Sequence, residues 1–133
     1  MRIEDAVGWA HDTVLPRLPL HRRVPRAVVH PVCSIVKMGL VPKLTATVRF
    51  CADEVLVPVE AGCCGFAGDR GYTHPELTDA ATRAEAAEIK AHGACDFYVS
   101  SSRTCEIGMS RATSRTFRSF WSLLDAASTW RSI

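Results

Sequence analysis

The chain has 133 residues and a mass of 14.6 kDa, the size of one domain rather than two. Hydrophobic residues make up 47% and charged residues 23%, a globular balance that excludes a disordered or collagen-like chain. A net charge of +2, carried mostly by scattered arginines, is too small to point to nucleic acid or an acidic membrane as partner.

No apolar run approaches the length that spans a bilayer, and Met1-Arg2-Ile3-Glu4-Asp5 lacks the apolar core of a signal peptide. The expectation is one soluble, cytoplasmic domain over residues 1–133. Ile3, Ala6, Val7, Ala10 and Val14 recur at helical spacing and predict a first helix over 2–15, ended by Pro16 and Pro19. His21-Arg22-Arg23 reads as a solvated linker. Residues 26–32, Arg-Ala-Val-Val-His-Pro-Val, form an apolar, β-branched run typical of a buried parallel strand, and it stops at Cys33. Residues 34–40 read as a turn. Pro42 suits the first position of a helix running through Leu44, Val48 and Phe50 to Cys51.

A second strand is expected over 54–59, followed by the glycine-rich loop 61–71, where the backbone must take positive φ or approach something closely. Thr73 or His74 caps the next helix, with Pro75 at its first position and Gly93 stopping it after about Ala91. A third strand spans 97–100 and a loop covers 101–105. After a further helix, a last one over 116–127 places Phe117, Phe120, Trp121 and Leu124 on one core-facing side. Strand–loop–helix repeated three times predicts an α/β fold: a small, three-layer, Rossmann-like domain with a short parallel sheet and flanking helices.

Six cysteines are the feature that composition leaves unexplained. In a reducing compartment, clustered thiols are more often metal-binding or catalytic than disulfide-bonded. Loops leaving the carboxyl ends of parallel strands emerge on one edge, where ligands bind. Cys33, the pair Cys63-Cys64 and Cys105 follow the first, second and third strands, so the topology should gather them. Cys51 and Cys95 fall toward the opposite edge and read as core filling.

Thiolate is soft and selects zinc, Cu(I) or iron–sulfur clusters over magnesium or calcium. The chain has no Cys-x-x-Cys of the structural zinc type. Adjacent cysteines serve separate iron atoms of a cluster more easily than one small tetrahedral ion, so the pair favours a multi-iron cluster. Backbone N–H groups at Gly65 and Gly68 would turn toward its sulfides, and Arg103 would offset its negative charge. The alternatives are a zinc-binding or metal-free structural domain, and a thiol–disulfide couple formed by the strained vicinal pair Cys63-Cys64. His30 and His74, each preceding a proline, read as a strand end and a helix cap rather than ligands. Asp69 and Arg70 read as an ion pair holding the loop.

Four segments appear in one order: His-Pro-Val-Cys-Ser (30–34), Cys-Cys-Gly-Phe-Ala-Gly-Asp-Arg-Gly (63–71), His-Pro-Glu-Leu-Thr (74–78) and Ser-Arg-Thr-Cys-Glu-Ile-Gly (102–108). Together they resemble the cysteine-rich CCG domain that closes bacterial FAD-linked D-lactate dehydrogenases. Related domains occur in the iron–sulfur subunits of glycolate oxidase and anaerobic glycerol-3-phosphate dehydrogenase, and in heterodisulfide reductase. The resemblance covers essentially the whole chain, and its nine-residue Cys-Cys-Gly run is its most specific part. It implies an electron-transfer module with Cys33, Cys63, Cys64 and Cys105 at the family's cysteine positions. In that family an FAD domain oxidises a 2-hydroxy acid and iron–sulfur segments pass the electrons to a quinone or cytochrome.

The implied partners are therefore an FAD-containing dehydrogenase domain or subunit and a ferredoxin-like iron–sulfur segment. The implied location is cytoplasmic, with room for peripheral attachment at the inner face of the cell membrane. Two departures stand out. Ser102 occupies the first position of the family's closing Cys-x-x-Cys, leaving four thiolates rather than five, enough for an ordinary [4Fe–4S] cluster as the implied cofactor. The chain also carries neither the FAD domain nor a Cys-x-x-Cys-x-x-Cys segment, so it should relay electrons rather than oxidise lactate by itself.

Overall fold

In the computed structural model, which describes residues 1–129, the apolar run around Val28 forms the central strand β1 (Val24–His30). Pro31 ends it short of the expected boundary, because proline has no N–H to give to a ladder. Helix α3 (Val41–Cys51) passes directly into β2 (Ala52–Leu56), so the second strand starts earlier than expected and stops before Pro58. Strand β3 (Phe97–Ser100) lies where the pattern placed it.

A fourth strand, β4 (Phe117–Ser119), was not anticipated; the sequence pattern had assigned these residues to the final helix. Tyr98 pairs with Phe117 and Ser100 with Ser119. Three residues are too few for a period-two signal, and only pairing with the β3 edge makes them a strand. The last helix, α7 (Phe120–Ser128), begins afterwards, with Ser119 capping the Trp121 N–H at 3.3 Å.

The sheet order is β2-β1-β3-β4 and every pair is parallel, giving an α/β domain with helices on both faces. Alternation along the strands builds two cores. Ala27, Val29, Phe97 and Val99 pack with Leu44 and Val48 of α3 and with Leu123 and Leu124 of α7. Val28 and Tyr98 point the other way, toward Ile89 of α5 (Pro75–His92) and Met109 of α6 (Arg103–Thr113). The expected C-terminal stripe is consequently split. Phe117 joins the α5–α6 core, while Phe120 and Leu124 join the α3–α7 core.

The amino-terminal helix is also less regular than its spacing suggests. Asp5 caps α1 (Ala6–Trp9) by accepting from the Val7 N–H at 2.8 Å. The chain then continues as a π-helical turn (Ala10–Val14) and a 3₁₀ turn (Leu15–Arg17). Pro16 lacks an N–H and its ring would crowd the carbonyl four residues back, which loosens the ladder there. Residues expected as a turn after β1 form the short helix α2 (Cys33–Lys37). Among the described residues, no helix is long and apolar enough to cross a membrane.

Candidate functional site

From β1 the chain moves outward to β2, and from β3 it moves the opposite way to β4. The carboxyl ends of β1 and β3 are therefore the topological switch point, the usual ligand position in open parallel sheets. Cys33 opens α2 just past β1, and Cys105 lies in the first turn of α6 just past β3. Cys63 and Cys64 lie in the loop between β2 and the short helix α4 (Arg70–Thr73).

Two of the four expected ligands meet. The Sγ atoms of Cys64 and Cys105 are 3.0 Å apart, and both residues are buried. Cys33 and Cys63 are exposed. Cys33 is near enough for its negative charge to raise the Cys105 pKa. Cys63 Sγ accepts the Gly65 backbone N–H at 3.4 Å. Among the described residues, no three His, Cys, Asp or Glu side chains converge closely enough to hold a metal ion.

The loop is shaped by packing on α5 and α6. At Gly65, φ is +73° and an added Cβ would lie 2.6 Å from the Leu77 carbonyl oxygen. Phe66 is 1% exposed, and a Cβ at Gly71 would come within 2.5 Å of its ring. Tyr72 meets the same ring edge-on at 5.0 Å. Phe66 thus pins the segment that carries the vicinal cysteines. The Gly65 amide is directed at the Cys63 side-chain sulfur, whereas Gly68 (φ +75°) has open space around it and serves the turn.

The thiol pair is electrically asymmetric. Cys64 is lowered from an ordinary 9.0 to about 6, chiefly by the hydrogen bond with Cys105. Burial opposes the shift; the Phe66 amide and the charge of His30 assist it. Cys105 is pushed strongly upward, first by the same hydrogen bond and then by burial and the Cys64 charge. The pair therefore behaves as one thiolate and one thiol sharing a proton. Cys51, fully buried between α3 and β2, is instead raised to about 11 by burial, and burial also raises Cys95. Cys51 is the core thiol expected of it, whereas Cys95 is only half-buried and packs at the margin of the α5–α6 core.

His30 and Glu85 are the residues that sequence reasoning passed over. His30 does end β1, but its ring is fully buried, and Nδ1 bonds the equally buried Glu85 Oε1 at 2.8 Å. Its Nε2 has no hydrogen-bond partner among the described residues. A carboxylate behind one imidazole nitrogen fixes the orientation of the ring. The signal that could have found the pair is Glu85 itself, the one acid on the buried stripe Thr78, Thr82, Glu85, Ala86 and Ile89 of α5.

Three other expectations change. Arg103 does not stand free beside the thiols: it pairs with Glu106 at 2.9 Å and is 76% exposed, so its charge is largely offset. Among the described residues no ion pair joins Asp69 and Arg70; the loop closes through backbone bonds from Tyr72 N–H to Asp69 and from His74 N–H to Arg70. His74 precedes α5 without a side-chain cap and instead faces Glu76 at 3.2 Å. Compared with known protein families, curated proteins and solved structures, the chain matches none.

Proposed function

We propose that the chain is an iron–sulfur electron-transfer module of the CCG type, with Cys33, Cys63, Cys64 and Cys105 as thiolate ligands. The observation that carries this reading is the Cys64–Cys105 contact at the switch point, with the other two thiols on the same edge. The donor chemistry is soft and negatively charged: one thiol of the buried pair is ionised near neutral pH, which suits iron or zinc rather than a hard cation. Cys33 and Cys63 are exposed on the rim, so in this reading both side chains would turn inward on binding, Cys63 giving up the Gly65 amide. When bound, the cluster would supply one-electron transfer. The residues around it would orient the sulfurs through the Gly65 and Phe66 amides and exclude water with the Phe66 ring.

In this reading the chain passes electrons and holds no hydroxy-acid substrate; a flavin dehydrogenase domain or subunit would deliver them. Reconstitution with iron and sulfide under anaerobic conditions should give a visible chromophore with about four iron and four sulfide per chain. Serine at Cys63 or Cys64 should abolish it. One zinc per chain with no sulfide, from cells with ample iron, would replace the proposal with a structural zinc domain.

A further inference from the structure

We propose that Cys64 and Cys105 form a reversible disulfide in the metal-free chain, making this pair an oxidation site at the carboxyl ends of the strands. The proposal shares two thiols with the electron-transfer reading but does not need a cluster to form. Its basis is geometric. Residues 41 apart in the chain place their sulfurs 3.0 Å from each other. A disulfide bond is about 2.04 Å long, so roughly 1 Å of approach completes it. The vicinal pair is the poorer candidate, because a ring closed between adjacent residues is strained and Cys63 points to solvent, held by the Gly65 amide.

The supports on either side favour the crosslink. Cys105 sits in the first turn of α6, and Cys64 is carried by the loop that Phe66 anchors. A Cβ at Gly108, one turn along α6, would stand 3.7 Å from Cys64 Cβ, so the loop already rests on that helix. Closing the bond therefore requires side-chain rotation with little backbone movement.

The oxidant is a hydroperoxide. The Cys64 thiolate attacks one oxygen of hydrogen peroxide, the O–O bond breaks, and a sulfenic acid forms while the departing hydroxide takes a proton from solvent to become water. The Cys105 sulfur then attacks the Cys64 sulfur, the S–O bond breaks, and a second water leaves carrying the thiol proton. Two thiols are oxidised by two electrons, and one peroxide is reduced to two waters. Both sulfurs are then unavailable to metal until a dithiol reductant restores them.

The test uses the full chain, purified with chelator, fully reduced, and treated with one equivalent of hydrogen peroxide. Peptide mapping without reductant should recover Cys64 joined to Cys105, with two free thiols lost and both regained on adding dithiothreitol. The Cys63→Ser variant should crosslink to the same extent as the parent chain. A Cys63–Cys64 link, disulfide-bonded dimers through Cys33 or Cys63, or sulfinic acid at Cys64 without a crosslink would each overturn the proposal. Loss of the crosslink in Cys63→Ser would do the same. Iron plays no part in this readout, so a chain that never takes up a cluster can still pass it, and a cluster-forming chain can still fail it.

Discussion

Cys64 and Cys51 are both buried thiols with opposite chemistry. Cys51 lies among apolar side chains, and the Arg23 charge only partly offsets the desolvation of its charged form. Cys64 has Cys105, a backbone amide and the His30 charge around it, and its thiolate survives burial. Serine at Cys64 should therefore remove at least nine-tenths of the reconstituted chromophore, whereas Cys51→Ala should lower stability but leave the absorbance per folded chain unchanged. Glu85 makes a second contrast. Removing it in Glu85→Ala leaves a fully buried imidazole without either partner, which should cost roughly 1–3 kcal/mol in urea unfolding. Glu85→Gln keeps an oxygen that accepts from Nδ1 and should lose less. Equal losses in the two variants would contradict this, because they would mean that a neutral oxygen of the same size cannot stand in for the carboxylate.

Proline and glycine positions made several elements legible before any packing was considered. Pro75 and Gly93 bound α5 within a residue of the expected limits, and Pro42 sits in the first turn of α3. Local rules failed where neighbours decided the outcome. β4 exists only because β3 offers an unpaired edge, and the first helix distorts at Pro16 despite its regular apolar spacing. The Cys-Cys-Gly loop shows both kinds of constraint. Gly65→Ala meets the Leu77 carbonyl as well as an unfavourable positive φ, and should destabilise by roughly 2–4 kcal/mol. Gly68→Ala, where only φ is unfavourable, should cost about 1 kcal/mol. Thermal unfolding of the two variants checks the order; a reversal would mean that α5 does not bear on the loop.

For the molecule as a whole, the thiol pair links stability to pH. Unfolded Cys64 titrates near 9.0 and folded Cys64 near 6, so between these values the unfolded chain holds the extra proton. Stability from this group is fully present above pH 9 and is lost as pH falls through 6. Cys105 is shifted upward, so its contribution is present below pH 9 and is lost at higher pH. The metal-free chain should gain most from the pair near pH 9, with the difference in urea midpoint from Cys64→Ser shrinking on both sides; a flat difference from pH 6 to 10 would contradict the shared proton. The amino-acid sequence by itself determined the alternating α/β order, the parallel sheet and the placement of four cysteines after three strands, because periodicity, proline and glycine act over a few neighbouring residues. Tertiary structure alone decided that Cys64 meets Cys105 while Cys33 and Cys63 face outward, that Arg103 is tied to Glu106, and that His30 leans on Glu85. Those outcomes depend on which face each strand residue takes and on how α5 and α6 pack, contacts between segments far apart in the chain that no local pattern encodes.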